Sequence, residues 1–492
     1  MFGGKRDLPL QPAEYQGRGR GAPLPPVLVN AAVLFVSLVV SQQLISRFGL
    51  DFFILALVGA FFGTLYAIVS LKSLLVPFIV WVLSVGGFRY IWSIQTPILP
   101  DLFLDRMMML WLAMVFMVKF FAERRTLKGP FLLDYLIAIH GLYVLIRIYI
   151  QGMEYIHPWT MSYLIPYAAY YFSKNIVTTI RRIWVFLVSL LLLTLYYSIT
   201  SIAENLGLNF LVWPKLILTE RIRWGGRSTG PFLQPGVLGT VIGMLVPIHL
   251  YFIATVRSNV TRVGVYVSLA LGMAGLYYTY TRGSWLAGIV AILVVAALNI
   301  RHYSRVLLPA VVLVPVLAFS FLGLGQDTFM KERVENEDTL GSRVGTAVTA
   351  LKIWRDNPLI GVGFFQYRNA REDYIQPITV PGLGTIRFVQ FRHNNIHDIY
   401  LGPLAEDGLV GMGLQFWIYF LILKTFLKKF RWRHEGDHFA IFIMPVFAGV
   451  FVGYLVGGLA IDYRFFSFIG VLFYMCAGIL YGYQRPEQEN VS

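Results

Sequence analysis

A single cysteine, Cys476, is the only thiol in 492 residues, so no disulfide can form within the chain and no cysteine-rich zinc site can be built. Charge is scarce as well. Charged residues make up 14% of the sequence against 57% hydrophobic ones, too few to cover a soluble globule of this length. Acids are the scarcer sign, 26 against 41 Lys and Arg, for a formal charge of +15. In a soluble protein that surplus would suggest nucleic acid, but here many of the bases fall in short connections between apolar runs, as a membrane topology signal does. No Walker sequence occurs, and GVGFFQ (361–366) lacks the strand and helix context of a nucleotide loop. No internal repeat reproduces its own spacing, which weakens an inverted-repeat transporter.

What the sequence does have is long apolar runs. About 20 residues cross roughly 30 Å of hydrocarbon, and runs of that kind cover 27–45, 51–70, 73–92, 106–122, 131–150, 159–173, 183–201, 235–254, 263–280, 284–300, 306–323, 409–425, 439–459 and 466–483. The expected fold is therefore all-α, a polytopic transmembrane bundle of about fourteen spans. The clusters Lys119/Arg124/Arg125/Lys128, Lys174/Arg181/Arg182, Arg257/Arg262, Arg301/Arg305 and Lys424/Lys428/Lys429/Arg431/Arg433 fall at every second connection, which assigns those loops and both termini to the cytoplasm. The expected order is a flexible cytoplasmic tail over 1–26, transmembrane helices over 27–202, an outer loop over 203–234 and helices over 235–324. A large outer loop over 325–404, helices over 405–484 and a tail over 485–492 complete it. The first apolar run is followed by no small-residue cleavage site, so the N-terminal tail reads as retained.

Both long loops fall on the outer face, where loops of this length are usually functional. In the second, SRVGTAVTALKIWRDNP sets Val344, Ala347, Val348, Leu351 and Trp354 at helical spacing. An amphipathic helix is expected there, capped by Ser342 with Arg343 in its first turn. It either lies on the membrane interface or packs over the bundle.

The same face gathers Arg221, Arg223, Arg227, Arg282, Arg343, Arg392 and Arg464, where the positive-inside rule expects few. Guanidinium groups stay charged and bind phosphate oxygens bidentately. Each could instead snorkel or pair with an acid such as Glu220 or Asp462. Arg282 stands out, since YTYTRGSWLA is a short turn at the edge of the hydrocarbon. In RHNNIHDIYLGPLAEDG, His393 and His397 are four residues apart, the spacing of a metal pair. The glutamate of HExxH is missing and no third ligand is evident, so no metal is expected. A general base and a structural imidazole remain two open readings for these histidines. For His140 and His249, inside apolar runs, a hydrogen bond to a neighbouring helix is the expectation, and Arg147 is expected to reach the outer interface.

Four stretches resemble the O-antigen ligase and polymerase superfamily: RSTGPFLQPGVLGT from Arg227, TRGSWLA, SRVGTAVTALKIWRDNPLIGVGFFQY and HDIYLGPLAEDGLVG. In the first, Gly236 stands where an asparagine is frequent. In the last, His397 aligns with the family's functional histidine and Asp398 replaces its asparagine. A carboxylate there would hold an imidazolium and raise its pKa. The resemblance implies a multi-pass protein of the bacterial inner membrane whose active site faces the periplasm. It implies a glycosyltransferase without cofactor or metal, taking a glycan from a polyprenyl diphosphate carrier to an acceptor hydroxyl on a glycan or a lipid A core. Arg282 and Arg343, with Arg223 or Arg227, would bind the diphosphate and His397 would act as base. His393, Asp398 and Arg392 would support it, and Glu406 and Gly408 would shape a turn. A ligase is slightly favoured over a repeat-unit polymerase. A lipid or polysaccharide transporter is the reading from another class; it would need polar groups along a route through the bundle.

Overall fold

The computed structural model describes residues 52–91, 93–94, 102–124, 126–303, 338–374, 378–380, 384–386 and 396–485. The tail 1–26, the spans 27–45 and 306–323, most of the tail 485–492, Arg392 and His393 lie outside the described residues. The chain divides into two compact units, 1–66 and 67–492, and the site lies in the second.

Among the described residues the structure is helical apart from two short antiparallel ribbons, Ser93–Ile94 with Leu102–Phe103 and Ile378–Val380 with Gly384–Ile386. The helices are α1 (Phe52–Lys72), α2 (Leu75–Leu83), α3 (Leu104–Ala122), α4 (Leu132–Gln151), α5 (Ile165–Ile176), α6 (Ile180–Leu206), α7 (Leu216–Arg223) and α8 (Pro235–Leu245). They continue as α9 (Pro247–Thr255), α10 (Asn259–Tyr277), α11 (Arg282–Leu298), α12 (Asp338–Asp356), α13 (Leu401–Phe430), α14 (Met444–Gly457) and α15 (Ser467–Gly482). Six stretches among the described residues are long and apolar enough to cross a membrane: α4, α6, α8 with α9, α10, Leu401–Glu435 and Phe439–Gly457. Leu75–Ile91, α11 and α15 are shorter apolar helices.

The stretch Pro235–Thr255 is the inner strut, with 94% of its apolar window buried. Gln234 starts it by accepting a hydrogen bond from the Val237 N–H at 2.7 Å, and Pro235 occupies a position whose N–H has no helical partner. Small residues four apart then let α8 and α11 touch through their backbones. A Cβ on Gly243 would sit 3.1 Å from the Gly288 backbone, and one on Gly239 2.8 Å from the Ser284 Cβ. Such small-residue crossings are how helices approach closely without a hydrophobic drive. The contact fixes Arg282, the first residue of α11, beside the start of α8. His249 fits the expectation for a polar residue in an apolar run, sharing a 2.9 Å hydrogen bond with the Ser268 hydroxyl across helices.

Helix α13 departs from a straight span. Gly408 has φ 66° and ψ −165°, a region essentially reserved for glycine, and the helix breaks there. The PLIGVG turn fills the break. Val362 and Gly363 donate to the carbonyls of Ala405 and Glu406 at 3.1 and 2.7 Å, while Leu409 and Val410 donate to Pro358 and Leu359 at 2.9 and 3.0 Å. One face of α4 grips the junction: Tyr143 donates to the Asp407 carbonyl, Arg147 to the Gly361 carbonyl and Gln151 to the Val362 carbonyl. Arg147 thus reaches the 325–404 loop and holds a turn there.

A Cβ on Gly408 would lie 2.4 Å from the Leu359 carbonyl oxygen. Gly408→Ala is expected to cost about 1–3 kcal/mol from backbone strain, measured as a lower unfolding temperature in detergent. Gly413→Ala, whose Cβ would meet nothing within 4 Å, is the control and should leave it unchanged or slightly higher.

The loop helix needs correction in two respects. It begins at Asp338, so Ser342 does not cap it and Arg343 sits beyond its first turn. The cation therefore does not sit in the first turn, the end at which the helix dipole disfavours it. Its buried face is also different: Thr346, Thr349, Ala350 and Ile353 are buried, and Ala350 and Ile353 pack with Tyr367, Ile396 and Ala405. Leu351, on the stripe expected to be buried, is exposed. Packing over the bundle therefore uses threonines and small residues that hydropathy alone ranks below valine and leucine.

Candidate active site

Five chain segments meet at one end of the helical unit. The first is the turn into α11. Tyr280 adopts a left-handed φ of 47°, and buried Arg227 secures the turn by donating to the Thr279 carbonyl at 3.1 Å and to the Thr281 hydroxyl. The second is the loop before α8, clamped by Glu204, which accepts from the N–H groups of Thr229 and Gly230 at 2.8 Å each. Arg227 thus spends at least two of its donors on the turn that leads to Arg282.

The third segment is 396–400, which docks on the end of α14. Ile399 donates to the Gly458 carbonyl at 3.0 Å and Tyr400 to the Leu455 carbonyl at 2.8 Å. Asp398 accepts from the N–H groups of Tyr400 and Leu401 at 2.6 and 2.9 Å, so it caps α13. The fourth, the α14–α15 turn, sets Ala460 against Gly283. It also sets Arg464 between two acids, bidentate on Asp462 at 3.0 and 2.7 Å and paired with Glu406. Glu406 in turn accepts from the Tyr367 N–H at 3.1 Å. The fifth is α12, bearing Arg343.

The arginines now separate by partner. Arg464 is a buried ion-pair centre, and Arg221 donates to the carbonyls of Gly226 and Asn205. Arg223 is exposed and 3.7 Å from Glu220, an arrangement worth little in water. Arg282 and Arg343 have no acid within ion-pair reach among the described residues and are exposed. Partial burial and then the charge of Arg282 lower the pKa of Arg343, so the two guanidinium groups stand close enough to repel.

His397 is exposed as well. Its pKa lies below the ordinary 6.5, lowered first by desolvation and then by Arg343, with Asp462 opposing. Asp398 is not among the groups that raise it. Both backbone hydrogen bonds of Asp398 fall on one carboxylate oxygen, and burial raises its own pKa. The field at His397 comes from Arg343 and Asp462, and the role of Asp462 was not visible in the sequence. Arg282, Arg343, His397 and Asp462 form one chain of interacting charges, with two cations available to an anion and a neutral imidazole beside them.

Three of these four lie in one stretch of sequence with a recognisable pattern. Residues 265–416 match the O-antigen ligase family. The match covers less than half of the chain, and it supports the O-antigen ligase and polymerase superfamily that the four motifs resemble. At the level of the family, the match supports a membrane glycosyltransferase of the ligase or polymerase type. No curated protein matches the chain. Within the O-antigen ligase match fall Arg282, Arg343, His397 and the Gly408 break, while Arg223, Arg227, Asp462 and Arg464 lie outside it.

Proposed function

We propose that this protein transfers a glycan from a polyprenyl diphosphate to an acceptor hydroxyl at the periplasmic face of the bacterial inner membrane, as an O-antigen ligase does. The observation that carries the reading is the repelling pair Arg282 and Arg343 beside His397. Two like charges held together without an acid are unfavourable until an anion lies between them, and a diphosphate matches both forks. In the reaction His397 accepts the proton of the acceptor hydroxyl. The freed oxygen attacks the anomeric carbon, and the bond from that carbon to phosphate breaks. Its electron pair leaves with the polyprenyl diphosphate, whose charge the arginines stabilise. Fourteen spans with both termini cytoplasmic complete the topology, with the loops 203–234 and 325–404 outside. Arg223 supplies a peripheral positive charge, Arg227 positions Arg282, and Arg392 and His393 flank the base in sequence.

The test is transfer by purified protein from a labelled polyprenyl-diphosphate glycan, with chelator present. Activity should survive the chelator, and Arg282→Ala should lower kcat about 10²–10³-fold, the usual effect of losing one charge-stabilising donor. Full activity in Arg282→Ala, or a strict need for divalent metal, would overturn the reading. Loss of long chains from lipid A with the chain-length ladder intact in a deletion strain marks a ligase, and loss of the ladder itself marks a polymerase.

A further inference from the structure

Residues 206–224 belong to an outer loop in the topology proposed above, yet they fold back along the helix they leave. Roughly 36 Å of α6 separate Arg182 from Leu206, against about 30 Å of hydrocarbon. With Arg182 among the headgroups on one side, Leu206 stands at the opposite boundary of the membrane. From there the chain returns. Tyr196, about 15 Å back along the helix from Leu206, donates to the Trp213 carbonyl at 2.7 Å, and the Trp213 ring lies 5.5 Å from that of Phe88. Helix α7 is tied to the last turns of α6: Ile217 packs with Ala203 and Val212, and Arg221 donates to the Asn205 carbonyl at 3.3 Å.

Among the described residues only one side of this fold-back is covered. Val212 and Ile217 are buried, while Leu206, Leu208, Phe210, Leu211, Leu216 and Ile222 are exposed, Phe210 by 77% and Ile222 by 82%. Leu206 continues a stripe on α6. Leu192 and Ile199 precede it at steps of seven and are exposed as well, which sets the three on one helix face. In a membrane span an exposed apolar face meets lipid. The segment also carries Lys215, Arg221 and Arg223 against one acid, Glu220, a surplus that suits lipid phosphates.

We propose that 206–224 is an interfacial anchor seated in the leaflet at this end of α6, with Phe210 and Ile222 in the acyl region and Lys215 and Arg223 at the headgroup phosphates. Long cationic side chains can reach the phosphates while their stems stay among apolar groups. The occupant is the bilayer, because the patch extends the lipid-facing stripe of α6, and because a segment that returns to the depth of Tyr196 has lipid beside it. An irregular backbone is tolerated at that depth where protein covers it, as Tyr196 and Phe88 cover Trp213. The anchor needs the membrane and not the transfer chemistry, so its failure would leave the transferase reading standing.

Cys476 is buried, so a cysteine introduced at the surface is the thiol that takes a nitroxide label. With the full chain in vesicles of phosphatidylethanolamine and phosphatidylglycerol, labels in Phe210→Cys and Ile222→Cys should collide with oxygen in preference to a water-soluble nickel chelate. They should report a depth of about 5–10 Å, that of an interfacial helix. Leu192→Cys on the α6 stripe gives the lipid reference, and Asn369→Cys, exposed in the loop 325–404, gives the aqueous one. Leu211→Cys replaces either test variant that proves unstable. Preference for the nickel chelate at either position would place the segment in water. Collision with neither reagent would place a protein partner or another part of the chain over it, and either result would overturn the anchor.

Discussion

Arg464→Met is expected to destabilise the folded protein by about 3–5 kcal/mol, the usual cost of removing one partner from a buried ion pair. The guanidinium is 9% exposed and its partners Glu406 and Asp462 are 5% and 3% exposed. Methionine fills much of the same volume without the charge, so two carboxylates would remain in an apolar surround. The loss would spread, because Glu406 also receives the Tyr367 N–H and its carbonyl receives Gly363. Thermal unfolding in detergent should show a clearly lower midpoint. Glu406→Gln combined with Asp462→Asn should recover part of it in the Arg464→Met background, since neutral amides no longer need a cation. An unchanged midpoint in Arg464→Met would show that the network does not hold this end of the bundle together.

That network shows where sequence reading stopped. Glu406 and Arg464 are 58 positions apart, and no periodicity links them. Arg282 was legible because a cation at the hydrocarbon edge is costly anywhere, whatever the fold. Arg227 was legible as a charge but not as a fastener, because its acceptors Thr279 and Thr281 lie more than 50 residues away. The Gly408 break had a visible mark in the glycine pattern, while the PLIGVG turn that fills it belongs to another segment. Asp398 was legible as a departure from the motif but not by its partners, which are the N–H groups of Tyr400 and Leu401. Apolar helices were legible from hydropathy, and six stretches among the described residues are long and apolar enough to cross a membrane. Internal breaks in the apolar helices, such as the π turn at Ser84–Phe88, were not legible, because apolar composition is the same on either side of them.

His397→Gln is expected to lower kcat by about 10²–10⁴-fold, the range for loss of a positioned general base, with no change in melting because the imidazole is exposed. The pH profile tells a base from a structural imidazole. A base must be neutral to accept a proton, so activity falls as pH drops through its pKa. Desolvation and Arg343 hold that pKa below 6.5, so the acid limb of kcat/KM should lie below pH 6.5. Removing the nearby cation in Arg343→Gln favours the protonated ring, and the limb should move to higher pH as donor affinity falls. Bound diphosphate also brings negative charge beside the ring, so the limb of kcat should lie above that of kcat/KM in the unaltered protein. A purely structural histidine would lower stability and leave both limbs where they are. Turnover in His397→Gln within about tenfold of the starting protein, with an unmoved acid limb in Arg343→Gln, would remove His397 from the chemistry.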